Sequence, residues 1–255
     1  MKRSLLLAVG CLVAAPLLAA PPAKPRFRAG AATSNITPFL GGDIVGGFVA
    51  FPATNVHDEL HARCLVLDDG KTRLALVVCD LLGISCDVSR EARKLIQEKT
   101  GIPPEHVLVC AVHTHSACSA MGKAPLDEYH TFVAGRVADG VQRAVNGLRP
   151  AQAAFVTAEV PEHVFNRRWV MKPGTAPPNP FGDIDAVKMN PTPGSPDLVE
   201  PAGPTDPTIS ILALREPEGR PIAVFSAYGL HYVGRVESGD ISADYYGMYC
   251  RQLER

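Results

Sequence analysis

An apolar run at residues 107–112 leads directly into His113 and His115, and this junction constrains the fold more than any other part of the sequence. Such a run is typical of a buried strand. In an extended chain, side chains two residues apart point to the same face, so both imidazoles would project together from the strand end. Ligands of α/β enzymes commonly lie at that end. Two imidazoles there suit a hydrolytic zinc site, while two ordinary strand-end histidines are the simpler explanation.

Strand-like and helix-like segments alternate along the chain, which favours an α/β fold with a mixed β-sheet core flanked by helices. A hairpin turn at Asp68-Asp69-Gly70 joins two strands, and Ser89 and Gly101 are placed to cap the two ends of a helix. Residues 172–207 hold fourteen prolines and glycines, so no regular structure is predicted there. The predicted strands are 61–67, 73–79, 106–112, 153–160, 208–214 and 222–227, and the predicted helices are 89–100, 126–146 and one starting at 242–244.

The N-terminus has the pattern of a secretory signal peptide. Two basic residues precede an apolar stretch at residues 5–20, and small residues and prolines follow it. The stretch is short for a membrane span, and Pro16 interrupts it. We therefore predict a signal peptide at residues 1–23 and an exported protein, periplasmic or secreted, with a single domain at residues 28–255.

The charge balance argues against a nucleic-acid partner, and the cysteines leave open whether the protein has disulfides. The 25 basic and 26 acidic residues balance, so no nucleic-acid surface is expected. Export permits disulfides, yet the apolar surroundings of several cysteines fit buried thiols equally well. No pairing is therefore assigned to the cysteines after the signal peptide, which are Cys64, Cys79, Cys86, Cys110, Cys118 and Cys250.

Further polar residues follow other strands of the predicted sheet. His231 comes shortly after the strand at 222–227, in the same context as the histidine pair. Arg167 follows the strand at 153–160, where its guanidinium group would either bind a polar or anionic substrate group or lie in a solvated loop. Asp80 and Asp244 are candidates to fix an imidazole tautomer, although capping a helix is the simpler role for Asp244.

Five motifs, in order along the chain, resemble the neutral/alkaline non-lysosomal ceramidases. The resemblance covers the chain from about Gly30 onward and implies a zinc amidase. The motifs are Gly30-Ala31-Ala32-Thr33-Ser34-Asn35-Ile36-Thr37-Pro38, His57-Asp58-Glu59-Leu60-His61-Ala62-Arg63, Val112-His113-Thr114-His115-Ser116, Phe165-Asn166-Arg167-Arg168 and Ser242-Ala243-Asp244-Tyr245-Tyr246-Gly247.

The resemblance also implies roles for individual residues. In that family, the first histidine of the His-Thr-His-Ser motif and a histidine after a later strand bind zinc, which carries over to His113 and His231. His115 would donate a proton and stabilise the oxyanion, and Arg167 would contact the substrate. The implied substrate is ceramide or a related N-acyl lipid, cleaved at its amide bond into a fatty acid and an amine, with transient contact to a membrane surface.

The chain departs from the family pattern at two points. Ala117-Cys118 replaces the usual Gly-Pro, and the Cys118 thiol would be an extra zinc ligand, half of a disulfide or, most simply, a spectator. The family's glutamate and tyrosine ligands and its immunoglobulin-like domain lie beyond residue 255, so we expect an incomplete catalytic domain. The main alternative is an exported, non-catalytic binding module with an incomplete metal site. A barrel amidohydrolase is disfavoured because several strands precede the histidine pair.

Overall fold

The computed structural model describes residues 27–47 and 49–255, and the predicted signal peptide lies outside these described residues. No helix in this described part has the length and apolarity needed to cross a bilayer. The helices are α1 (Cys86–Thr100), α2 (Glu128–Asn146) and α3 (Asp244–Leu253). The strands are β1 (Arg28–Asn35), β2 (Asp43–Ile44), β3 (Phe51–Pro52), β4 (Asn55–Val56), β5 (His61–Asp68), β6 (Arg73–Cys79), β7 (Val107–Ala111), β8 (Arg149–Pro150), β9 (Gln152–Glu159), β10 (Arg168–Met171), β11 (Val187–Met189), β12 (Leu198–Pro201), β13 (Thr208–Arg215), β14 (Pro221–Ala227) and β15 (Asp240–Ile241).

Five strands form the main sheet, in the order β7-β6-β5-β1-β8. β5 pairs antiparallel with both β1 and β6, whereas β6 and β7 run parallel. The β5–β6 hairpin was predicted from its turn, in which Gly70 adopts a φ of 87° that glycine tolerates without strain. The parallel pair positions the candidate site, because the C-terminal ends of β6 and β7 lie side by side there.

Helices α1 and α2 cover one face of the main sheet and enclose its core. Val88 and Ile96 of α1, and Val133 and Val137 of α2, are fully buried against the sheet. They recur at the spacing that places side chains on one face of a helix. Burying each such side chain contributes about 1.5–3 kcal/mol, so this layer contributes much of the stability of the fold.

Helix α1 begins earlier than its sequence suggested. Ser85, not Ser89, is the N-cap, because its Oγ accepts a hydrogen bond from the Val88 amide at 3.3 Å. Both serines fit a cap, but only the earlier start places Asp87 in the first turn, where a carboxylate favours the helix dipole. Gly101 ends the helix as predicted, with a φ of 73° and its amide bonded to the Gln97 carbonyl.

A second sheet, in the order β14-β13-β9, lies against the other face of the main sheet. Leu214 of β13 is buried against Ala29 and Leu65 of the main sheet, and Leu212 and Phe225 pack around them. The protein is therefore layered as helices, sheet and sheet, which confirms the α/β class. β13 and β14 also confirm the strand pair predicted around residues 217–219.

Residues 172–207 are more regular than predicted. β11 and β12 lie in this segment and pair antiparallel with β10, which runs between them. The prediction was wrong because the central strand precedes the proline-rich segment, and its partners need only three or four residues each. β12 is an edge strand that ends on Pro201, a position where proline costs no ladder hydrogen bond.

Candidate metal centre

Three histidines from two parts of the chain meet at the ends of β7 and β14. His113 and His115 follow β7, and His231 follows β14. One nitrogen from each ring lies within 4.8 Å of the other two. The ring centroids are 4.7 to 5.1 Å apart, and each pair meets edge to face. Among the described residues, these three histidines are the group of potential ligand side chains that lie close enough together to hold a metal ion.

The His113 and His115 rings come together through a turn of the backbone and not through the alternation of side chains along a strand. β7 ends at Ala111, and His113 adopts a left-handed φ of 72°. Its amide donates a 3.0 Å hydrogen bond to the Leu81 carbonyl, which holds this turn against the end of β6. A left-handed backbone is rare for a residue with a side chain. The contacts around His113 therefore fix a conformation that a free strand end would not keep.

The Leu82 carbonyl determines which nitrogen of His113 faces the cluster. His113 Nδ1 lies 2.8 Å from this oxygen, which only accepts hydrogen bonds, so Nδ1 carries the proton in the neutral ring. Nε2 is then the atom with the free lone pair. It lies 3.1 Å from Nε2 of His115. A backbone carbonyl on the far nitrogen is the usual support of a metal-binding imidazole.

His115 and His231 are held in their neutral forms. Burial lowers the pKa of His115, and the adjacent His113 and His231 lower it further. Burial also lowers the pKa of His231, with Arg167 and His113 acting in the same direction. Both rings therefore offer lone pairs at neutral pH, which is the form that binds metals. The Tyr232 ring stacks on His115, with centroids 3.8 Å apart and planes 8° from parallel.

Arg167 lies beside the cluster, as its influence on the pKa of two of the histidines shows. The Arg167 side chain is exposed. Its loop is fixed by the preceding residue, since the Asn166 amide donates to the Gly203 carbonyl and accepts from the Arg168 amide, both at 2.9 Å. The position suits a contact with a polar substrate group, and the roles assigned from sequence to Arg167 and the histidines stay predictions.

Hydrogen bonds join three of the five motifs into one network. Thr114 Oγ1 donates to the Ser242 carbonyl at 3.0 Å, and the Ser242 amide donates to the Ser116 carbonyl at 2.8 Å. Ser242 Oγ then donates to Asp58 at 2.6 Å, and the Ala243 amide donates to the same carboxylate. Motifs far apart in sequence therefore serve one purpose, which is to seat the histidine loop.

Two acidic candidates have roles other than those predicted. Asp80 binds Arg63 at 2.6 Å and the His61 amide at 2.9 Å, so it does not orient a histidine of the cluster. Asp244 accepts hydrogen bonds from the Val233 and Gly234 amides, just after His231, at 3.1 and 2.6 Å. It therefore holds the backbone of the His231 loop. It is not the N-cap of α3, which is Ala243, and its carboxylate accepts from the next amide, that of Tyr245.

Cys118 lies outside the cluster. Its thiol is free and buried, close to Gly42, and burial raises its pKa to about 11. Its thiol is not among the atoms that converge on the three-histidine cluster. The structure therefore supports the prediction that Cys118 is a spectator. The other cysteines after residue 27 are free as well.

Three contacts of the site were missed from sequence: the Leu82 carbonyl, the Tyr232 ring and the backbone at Gly46. A Cβ at Gly46 would collide with the His115 carbonyl oxygen, so only glycine fits there. The glycine-rich stretch around it was a signal that the chain approaches another backbone closely. A carbonyl leaves no trace in the residue type, and a single tyrosine after a histidine has no pattern that predicts stacking.

The described chain thus combines a layered α/β fold with a three-histidine cluster at one end of its sheets. No family model matches the sequence. The fold is shared with a solved ceramidase complexed with C2 and with the neutral ceramidase from Pseudomonas aeruginosa. Each has a TM-score of 0.62 and 19% identity over 86% of this chain. The chain spans 33% and 34% of the two matched chains, about a third of their length.

Proposed function

We propose that this protein is a zinc-dependent amidase that hydrolyses ceramide or a related N-acyl lipid to a fatty acid and an amine. The convergence of His113, His115 and His231 carries the proposal. The shared fold of the two ceramidases supports it. The five sequence motifs add weight, because three of them build the network that seats the histidines.

The donor set fits zinc better than other common metals. Imidazole nitrogens suit zinc, whereas magnesium and calcium prefer oxygen ligands. His113 Nε2 and a nitrogen of His231 would be protein ligands, and His115 lies close enough to be a third. A zinc ion there would act as a Lewis acid and lower the pKa of a water molecule toward ~7.

The remaining residues would act on the substrate. His115 lies against His113; in its neutral form it would take a proton from the attacking water and then donate that proton to the leaving amine as general acid. The exposed guanidinium group of Arg167 would bind a polar group of the substrate near the scissile amide. His113 is the exposed member of the cluster, so substrate would approach from its side.

A lipid substrate also requires contact with a membrane surface, after export directed by the predicted signal peptide. Phe39, which precedes β2, is 89% exposed, and Val49 is 78% exposed in the β2–β3 loop, whose Gly46 lies next to His115. Exposed apolar side chains of this kind mark interaction sites. Co-sedimentation with phosphatidylcholine vesicles tests this point, and Phe39→Ser should reduce binding without changing the fold.

Metal analysis of purified residues 24–255, combined with hydrolysis of a fluorescent short-chain ceramide, tests the main proposal. We expect one zinc per chain and release of the labelled fatty acid. His113→Ala should lose both. His163→Ala is the matched control, because His163 is an exposed histidine on another loop. Zinc binding without cleavage would reject the amidase on this substrate, and cleavage after zinc removal would reject the metal mechanism.

A further inference from the structure

We propose that Tyr232 is a positioning residue that fixes the plane of the His115 imidazole and so prepares the cluster before a metal binds. The inference rests on the proposed function only in taking the cluster to be a zinc site. It concerns a contact between two side chains that neither the motifs nor the resemblance assigns.

The geometry of the Tyr232 contact differs from that of every other contact within the cluster. The three histidine rings meet edge to face, with interplanar angles of 70° to 89°. Tyr232 instead lies flat on His115, at an angle of 8°. The edge of the imidazole carries the nitrogens and must stay free for proton transfer, whereas a face can be covered. Tyr232 therefore supports His115 on the one surface where support does not block that transfer.

Stacking on a face adds a second restraint on the torsion of the His115 ring, beside the hydrogen bond that the Gly46 backbone makes with it. Rotation of a histidine ring about χ2 has broad energy wells, so its nitrogens are easily misdirected. Turning the His115 ring would drive its edge into the Tyr232 ring, 3.8 Å away. The close approach of Gly46 to the His115 backbone fixes the other end of the residue. Together these contacts keep Nε2 pointed at His113.

The position of Tyr232 is itself restrained, because hydrogen bonds hold the backbone before and after it. The Tyr245 hydroxyl donates to the Leu230 carbonyl at 2.7 Å, two residues before Tyr232. The Asp244 carboxylate accepts from the amides of Val233 and Gly234, directly after it. The first turn of α3 therefore positions Tyr232 and His231 together. Because the Tyr232 ring stacks on His115, it also restrains the position of His115, which follows β7.

The contact requires an aromatic ring but no hydroxyl, and this gives a sharp test. Turnover would be measured by steady-state kinetics, and zinc affinity by competition with a chromophoric chelator. We expect Tyr232→Leu to lower turnover by roughly tenfold, because a misplaced proton-transfer group slows the reaction, and to leave zinc affinity within about twofold, because His113 and His231 are the proposed ligands. Tyr232→Phe should restore turnover. Tyr249→Leu is the control, a half-exposed tyrosine of α3 that bonds Ser226 instead.

A metal-free measurement separates this inference from the proposed function. A tyrosine ring stacked on an imidazole shifts the ring-proton resonances of the histidine upfield. In NMR spectra of the metal-free protein, the His115 signals should show that shift, lose it in Tyr232→Leu and keep it in Tyr232→Phe. Absence of the shift would overturn the positioning role, as would unchanged turnover in a folded Tyr232→Leu. If no variant binds zinc while the shift is present, the proposed function fails and the positioning role stands.

Discussion

The two parts of the chain that build the histidine cluster are supported in different ways. β7, which leads to His113 and His115, lies over the main core, with Val107 and Val109 buried. β14, which leads to His231, has no fully buried residue. The His231 loop relies instead on polar contacts with the start of α3, above all those of Asp244. Apolar packing fixes one side of the site, and a hydrogen-bonded tether fixes the other.

This difference means that stability and metal binding should respond to different substitutions. Removing apolar volume under β7 should destabilise the whole fold, because that core is shared with α1 and α2. Loosening the tether should affect the site first, since few apolar contacts depend on it. The predictions below test this division, from the largest expected effect to the smallest.

His115 follows the packed strand β7 and also contacts Tyr232 of the hydrogen-bonded His231 loop. Its replacement should have the largest effect on turnover. We expect His115→Ala to reduce turnover by about 10²–10⁴-fold, the usual worth of a general acid, and to keep most of the zinc. Steady-state kinetics and metal analysis of the same sample check both points. If the zinc is lost as well, His115 is a ligand, and the assignment of His113 and His231 as the pair that holds the metal must be revised.

On the packed side, Ile96→Ala should destabilise the fold strongly. Ile96 is fully buried between α1 and the sheet, and removing such a side chain costs about 2–5 kcal/mol. Urea unfolding measures the loss. The zinc affinity of the folded variant should stay within about twofold of the wild type, because Ile96 belongs to the hydrophobic core beneath the sheet and not to the histidine cluster. A large loss of affinity at full folding would show that the two supports are coupled.

On the tethered side, Asp244→Asn should affect the site more than the fold. Asparagine tolerates the left-handed φ of 56° at this position, so the change removes the charge and keeps the backbone. Weakening two charge-assisted hydrogen bonds should cost about 1–3 kcal/mol. We expect a clear fall in zinc affinity and a smaller change in the urea midpoint. The reverse order of effects would contradict the proposed division.

Asp58 links the two supports, and its effect should depend on pH. Burial raises the pKa of Asp58, but hydrogen bonds from Ser242, His57 and Ala243 outweigh it, so the pKa is lowered overall. The stabilisation is therefore present above the unfolded pKa of about 4, and it disappears as pH falls through the lower folded value.

Asp58→Asn should accordingly cost about 1 kcal/mol at pH 7 and little at low pH. Urea unfolding at a series of pH values from 7 downward provides the comparison, and the cost should shrink as the pH falls. A cost that is the same at every pH would mean that the charge of Asp58 contributes nothing to holding Ser242 and Ala243.

The sequence predicted the packed side of the molecule better than the tethered side. The β5–β6 hairpin and the end of α1 at Gly101 depend on local turn chemistry, which residue types reveal directly. The Asp244 tether depends on backbone amides of another segment, and any residue except proline has an amide. The choice of Ser89 over Ser85 failed because both serines satisfy the local rule and only the packed structure selects one.

The site itself was only partly predictable. Strand alternation suggested that His113 and His115 would meet, yet the left-handed turn at His113 brings them together. Periodicity cannot relate His231 to them, because no local pattern joins residues on different sheets. The resemblance to a family suggested that partnership, and the Leu82 carbonyl and Tyr232 emerged only from the three-dimensional arrangement.

The parallel pairing of β6 with β7 makes strand length a functional quantity. Cys79 pairs with Ala111 at the ends of the two strands. The segments that follow therefore bring the Leu82 carbonyl within hydrogen-bond distance of His113 Nδ1. Inserting one residue into either strand would shift that meeting by about 3.3 Å and turn the side chains to the opposite face. A length change that a surface loop absorbs without effect would here misalign the imidazole, even in a perfectly stable protein.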